Sequence, residues 1–459
     1  MAMAIRKTAF AAIAALACLA CAAKTDIMVF LDTEDYTDPV SDDAILEMAN
    51  LLEEEGVVGN FDVVGFLVQR LIESRRFDVL DSLRNHTVGS QSLYHSLHPT
   101  ECEYAAVEDA RVAYRNMLEY EATCVGMLRA GFGLDKIEYM TGPGNSFTYI
   151  AGHVCHDIGM KVGLDIVRGC AYKAWYANLL NLPYTWGIES LIPPKPEPDY
   201  KALLDAWAEK PYMGLAMHPN MMRATTFWDL VNYVSENHCE WRKWKAAPRR
   251  NEADVKEFYR RVRKLMRALK FDARFNVTDV RECIASIKPR RTIVPADMPA
   301  IEAALKADFG PVGEPASYCV ADVFQAAAKF LLGEKEFTPD LALGFLDRPV
   351  GVTEPTTLSA DDLRAAVAKI DLKWYLPNTI DVGGKAIGPA DCLFAMLEVL
   401  RTGAKSVTVT PREQLGSFKH VPKLENFSYR PGWPIHAKDL PDQMLSDRLR
   451  YQLWTLRFE

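Results

Sequence analysis

The chain has 459 residues, 49% of them hydrophobic and 25% charged, which is enough for a large core and two or three domains. Its net charge is −8, or −10 once Arg6 and Lys7 leave with a cleaved leader, and this argues against nucleic acid or an anionic membrane surface as a partner. A small or neutral polar ligand is easier to accommodate.

Residues 1–23 read as a secretory signal peptide. Arg6 and Lys7 give a positive start, Ala9 to Leu19 an apolar run too short to span a bilayer, and Ala20 to Ala23 a small-residue cleavage region. The expectation is a secreted or periplasmic protein with no transmembrane segment after signal removal. Acylation at Cys18 or Cys21 is the lesser alternative, because Cys18, Leu19 and Ala20 fit a lipoprotein signal poorly. Eight cysteines lie beyond the leader at wide spacings without a C-x-x-C pair, so they read as buried free thiols.

The next stretch, IMVFLDTEDYT from Ile27 to Thr37, is an apolar strand that delivers Asp32, Glu34 and Asp35 at its carboxyl end. Clustered carboxylates there suit a cation ligand beside a general base, or else a solvated turn capping the following helix. Asp42 to Glu55 has helical apolar spacing, Val57 to Gly65 reads as a second strand, Phe66 to Ser74 as a helix, and Arg76 to Arg84 as the close of that unit. A third strand, His86 to Ser90, opens onto QSLYHSLHP. The alternation predicts an α/β fold, either a βα barrel or a doubly wound sheet.

Gln91, His95 and His98 follow that third strand at spacings of four and three, which bring them to one point if the segment turns helically. Imidazoles with a carboxylate make a site for zinc or another divalent ion. Glu108 to Arg129 is the longest helix candidate. Ile137 to Met140 is a short strand before TGPGNS, a tight loop whose backbone N–H groups suit a substrate oxygen or simply a turn. Ile150 to Gly159 reads as a helix, Lys161 to Val167 as a strand, Pro193 to Pro198 as a surface loop, and Tyr212 to Met217 as a strand ending at His218.

In this order the features resemble the polysaccharide deacetylase family, carbohydrate esterases with a nodulation-factor-deacetylase-like domain. FLDTEDY, GNFDVVG, GSQSLYH, MTGPGNS and LAMH stand where that family has T-F-D-D-G, A-T-F-F-V-x-G, G-x-H-[ST]-x-x-x-H, R-x-P-x-G and L-x-L-H. The resemblance implies a deformed (β/α) barrel over residues 24–287. It also implies Asp32 as the base that activates metal-bound water and His218 as the general acid. Asp35 or Glu34 would be the carboxylate ligand, with His95 and position 91 as further ligands. Thr141, Pro143, Gly144 and Asn145 would meet the substrate, and the cofactor would be a divalent ion, with zinc expected. The chain departs from the pattern at Gln91, which replaces the first metal histidine and which His98 is placed to relieve, and at Thr141, which replaces an arginine.

Residues 288–315 read as an interdomain linker and 316–459 as a smaller, mainly helical domain, with helices at Val320–Leu332, Ser359–Ile370, Pro389–Thr402 and Leu445–Leu456. Leu376 to Leu400 is similar to the pseudomurein-binding repeat, which implies a cell-wall or glycan-binding role, and Trp374, Tyr375, Tyr429 and Trp433 are candidate sugar-stacking or core aromatics. The expected function is metal-dependent removal of N- or O-acetyl groups from a polysaccharide. The alternatives are a catalytically silent glycan-binding protein on the same barrel and a hydrolase of non-peptide C–N bonds.

Overall fold

Strand β1, Thr25–Thr33, is buried at every position but Asp26 and has neighbours on both sides in the main sheet, third from one edge. Its side chains alternate as a pleated strand requires: Ile27, Val29 and Leu31 enter one core, while Met28 and Phe30 enter another with Tyr139, Val162, Leu180 and Tyr212. The second of these cores fills the inside of a curled sheet. Asp32 continues the Met28 and Phe30 series, so the period of two aims its carboxyl into the mouth. The computed structural model describes residues 24–234, 239–313, 318–430 and 432–459, and the signal-peptide reading lies outside them.

Further strands follow in chain order: β2 Asn60–Val63, β3 Thr87–Ser90, β4 Tyr139–Met140, β5 Val162–Leu164, β6 Ala174–Tyr176, β7 Leu179–Leu182, β8 Trp186–Gly187, β9 Tyr212–Met217 and β10 Phe275–Val277. Beyond them come β11 Thr356–Ser359, β12 Ile380–Val382, β13 Lys385–Ile387, β14 Ser406–Val409 and β15 Arg457–Phe458. The sheet runs β15-β6-β7-β5-β4-β3-β2-β1-β9-β8, with β10 also on β1, and only the β6–β7 and β15–β6 pairs are antiparallel. The edge strands β8 and β15 are not paired with each other, so the barrel is curled but not closed, the deformed barrel expected. Asp32 faces Asp62 in the parallel register of β1 and β2.

The helices cover the outside. Pro39–Glu54 starts from the Asp38 cap with proline at its first position. Ala110–Phe132 ends on left-handed Gly133 at φ 66°. The helix Glu252–Phe271, absent from the reading of the sequence, buries Val255, Phe258, Val262, Leu265, Met266 and Leu269 at helical spacing after an Asn251 cap. Strands β6 to β8 and β10 were also missed; β10 is three residues long and β8 only two, too short to show a period. The cysteines Cys102, Cys124, Cys155, Cys170, Cys283, Cys319 and Cys392 are buried free thiols.

The 288–315 segment is not an open linker. Ile293 pairs with Phe337 across a bridge, and the helix Met298–Ala307 buries Met298, Ile301 and Leu305 in the core of the second unit. That unit packs the helices Val320–Leu331, Ala360–Val367 and Pro389–Thr402 with the antiparallel pair β11–β14 and the hairpin β12–β13. The last forty residues return to the barrel while Trp454 stays in the core of this unit. Leu445 and Leu449 join the barrel's core, Tyr176 donates to the Leu449 carbonyl at 2.5 Å, Arg448 donates to the Glu108 carbonyl at 2.9 Å, and β15 extends the sheet beside β6. The division into barrel and separate C-terminal domain therefore gives way to a barrel completed by its own C-terminus. Among the described residues no helix is long and apolar enough to cross a membrane.

Beneath the TGPGNS loop, Glu101 and Glu121 are both about 1% exposed, and among the described residues neither Glu101 oxygen has a hydrogen-bond partner. Burial, and for Glu101 the neighbouring Glu121, pushes Glu101 well above the carboxylate range, while burial pushes Glu121 up to about 7. Folded values above the unfolded ones mean stability that is present in acid and lost as pH rises through about 7. Glu121→Gln keeps the oxygen that accepts from Ser90 and removes the charge. It should raise Tm by about 2–4 °C at pH 8 and by much less at pH 5, measured by thermal melts, and an equal shift at both pH values would contradict the assignment.

Candidate functional site

Two carboxyls and two imidazoles meet at the mouth of the barrel. Asp32 accepts from the Tyr184 hydroxyl at 2.8 Å through one oxygen and lies 3.3 Å from His218 Nε2 through the other. His218, just past β9, presents Nδ1 to Glu189 Oε1 at 2.9 Å, and the same oxygen accepts its backbone N–H at 2.8 Å. Asp62 stands beside Asp32 on the neighbouring strand, and the same Tyr184 hydroxyl is 3.4 Å from its Oδ2. Asp62 Oδ1 is buried without a partner among the described residues.

The electrostatics follow from burial and pairing. Burial raises Asp32 to about 6 against the pull of the His218 charge. Burial and the Asp32 charge push Asp62 well above the carboxylate range. Burial alone would lower His218, but Glu34, Glu189 and Asp32 outweigh it and hold the imidazole up at about 10. A cationic His218 thus faces an ionised Asp32 at neutral pH.

The second cluster centres on Glu34. Its Oε2 lies 2.8 Å from His95 Nε2 and accepts from the Gln91 amide at 3.2 Å, and its Oε1 accepts from the Trp228 indole at 3.0 Å. Asp229 stands behind the ring, 3.6 Å from His95 Nδ1. Despite burial, His95 and His218 bring Glu34 down to about 2, and Glu34 in turn raises His95. Burial lifts Asp229 to about 7.

Of the residues read as ligands, Glu34, Gln91 and His95 converge, whereas Asp35 and His98 do not. Asp35 is turned away, accepting from the Thr37 N–H at 2.9 Å, the Thr37 hydroxyl at 2.8 Å and the Ser41 hydroxyl. It belongs to the turn that leads into the helix Pro39–Glu54, and the short-range bonds to Thr37 and Ser41 decide its direction. His98 is half-exposed and bonded to Glu103 at 2.6 Å, beyond a left-handed kink at His95, φ 53°, that breaks the helical turn the spacing assumed.

Thr141 has its backbone tied to the Ser90 carbonyl at 2.9 Å. The side chain that holds Asp32 is Tyr184. Pro143 is buried and Asn145 donates to Asp165 at 3.1 Å. Gly144, at φ 60°, lies flat against Trp433: a Cβ there would come within 2.2 Å of the indole. Trp433 also meets the His95 ring at 5.2 Å, so this aromatic lines the mouth; Tyr429 is buried and donates to the Phe147 carbonyl, and Tyr375 donates to the Tyr149 carbonyl at 2.9 Å.

Sequence reasoning missed Asp62, Tyr184, Glu189, Trp228 and Asp229. Asp62 carried a signal, since GNFDVVG places an acid on a buried strand beside the Asp32 strand. The other four lie in connections whose course only the fold defines.

The donors at Glu34 fit a divalent ion. Gln91 Oε1 and His95 Nδ1 are buried without a hydrogen-bond partner among the described residues, with Asp229 3.6 Å from the latter. Among the described residues no three His, Cys, Asp or Glu side chains gather in a metal-holding group, and the donors that would hold an ion are Glu34, His95 and the Gln91 amide. One nitrogen and two oxygens favour an ion harder than zinc.

No family model and no curated protein matches the chain. Solved structures similar to it include a putative polysaccharide deacetylase from Mycobacterium smegmatis, at 12% identity and TM-score 0.38 over 59% of this chain and 94% of that one. The peptidoglycan deacetylase PdaC from Bacillus subtilis matches at 12% identity and TM-score 0.31, over 57% of this chain and 91% of that one. A CE4 family pseudoenzyme from Bacillus anthracis matches at 14% and 0.28, over 43% and 56%.

The two acids after β1 make opposite predictions. Glu34→Gln breaks the buried pair with His95 and should cost about 3–5 kcal/mol in denaturant unfolding. Asp35→Asn, which keeps an oxygen for the Thr37 N–H, should cost about 1 kcal/mol or less. A larger loss for Asp35→Asn would contradict these placements.

Proposed function

We propose that this protein is an exported hydrolase that removes acetyl groups, on nitrogen or oxygen, from a polysaccharide. The observation that carries this reading is the braced pair Asp32–His218: a carboxylate 3.3 Å from an imidazole, the first held by Tyr184 and the second by Glu189. Such a pair supplies a base and an acid side by side next to one reacting carbonyl. Asp32 takes a proton from the attacking water. His218 returns a proton from Nε2 to the leaving amine or alcohol, while Glu189 keeps the ring in its orientation and favours its charged form. Glu34, His95 and the Gln91 amide would hold a divalent ion, which when bound polarises the acyl carbonyl and lowers the pKa of water.

Gln91 is also the observation that favours the rival reading, a glycan-binding protein without turnover, because an amide is the weaker ligand. Acetate release from acetylated xylan, chitin oligomers and peptidoglycan distinguishes the two. With added manganese or zinc, the wild type should release acetate from at least one of them. Asp32→Asn and His218→Gln should each lower kcat by about 10²–10⁴-fold. Activity should fall below about pH 6 as Asp32 takes up its proton, and persist on the alkaline side because His218 keeps its own until about 10. Metal analysis should find an ion that Glu34→Ala and His95→Ala remove and Asp35→Ala retains. Glycan binding without acetate release from any of the three would overturn the hydrolase reading.

A further inference from the structure

A cavity of about 550 Å³ lies away from this site, bounded by Lys161 at the amino end of β5, by Trp175 and Arg457 on the edge strands, and by the 338–342 segment of the second unit. Asp32 and His218 stand at the carboxyl ends of parallel strands, so the cavity belongs to the opposite end of the barrel. Five basic side chains line it, His156, Lys161, Lys288, Arg290 and Arg457, against the single carboxylate of Asp340.

Three of the five have partners. Arg290 bonds Asp322 and the Asp340 carbonyl, Lys161 pairs with Glu138 at 3.0 Å, and His156 lies between Asp157 at 3.0 Å and Asp340 at 3.2 Å. Arg457 is different. It is 8% exposed, its guanidinium stacks 4.0 Å from the Trp175 ring centroid, and among the described residues none of its N–H groups makes a hydrogen bond. Its nearest carboxylate, Glu459, is 3.8 Å away and already accepts from the Trp175 indole at 2.7 Å. Burial and the Arg290 charge lower its pKa to about 10, the mark of a cation short of counter-charge. A buried guanidinium with a fork of unused donors is costly unless an acceptor meets it, and that fork matches a carboxylate or phosphate.

We propose that this cavity binds a small organic anion, with its carboxylate or phosphate on Arg457 beside Lys288 and its apolar body against Met160, Ile284 and Ile287. The apolar residues set the ligand apart from a bare inorganic ion. The site is independent of the hydrolase reading, since neither cluster at the barrel mouth contributes to it.

Titration calorimetry on the full-length protein tests this with phenyl phosphate, benzoate, inorganic phosphate and benzyl alcohol. Phenyl phosphate or benzoate should bind with a sub-millimolar Kd, and the tighter of the two names the acid group. Inorganic phosphate should bind at least tenfold more weakly, and benzyl alcohol should give no heat. Arg457→Met should weaken binding at least tenfold. Lys288→Gln, a change at an exposed position, should weaken it about threefold and serves if Arg457→Met does not fold. No binding of either aromatic acid, equal binding of benzyl alcohol, or an unchanged Kd in the variants would overturn the proposal.

Discussion

Everything at the barrel mouth depends on charge balance in a space with little water. Asp32, Glu34, Asp62 and Asp229 are all 4% exposed or less, in a setting where an unpaired carboxylate costs several kcal/mol. The fold answers in two ways. It sets His95 against Glu34 and a cationic His218 between Asp32 and Glu189, and it lets burial raise Asp62 well above the carboxylate range. A group that serves as base must be ionised and one that serves as acid protonated, so the balance that makes the cluster tolerable also sets its chemistry.

The C-terminus closes the architecture. By sending its last forty residues back to the barrel, the chain adds β15 to an otherwise open edge and seats Trp433 against Gly144 and His95. A strand edge is thereby covered, and a wall of the mouth is built from residues nearly 300 positions from the loop they touch. The same return leaves Arg457 buried beside Trp175 at the other end, so one segment shapes both cavities.

Legibility in the sequence followed the range of the interactions. Strand β1 and its acids, the His95 strand end and the His218 strand end were readable because period and termination are local properties. Asp35 was misplaced because its direction is set by Thr37 and Ser41, a turn whose strength the run of acids concealed. His98 was misplaced because the backbone turns left-handed at His95. Tyr184, Glu189 and Asp229 arrive from connections lacking regular period, so nothing local marks them as neighbours of Asp32, His218 and His95. The supposed linker hid a helix because its prolines open that helix rather than interrupt it.

The central claim is that Asp32 and His218 act as one unit, and a double-mutant cycle on acetate release measures it most directly. If the pair works together, the Asp32→Asn, His218→Gln double variant is no slower than the slower single variant, because the second change removes nothing that the first has left working. Losses that multiply would mean that the two side chains act separately, and would contradict the account.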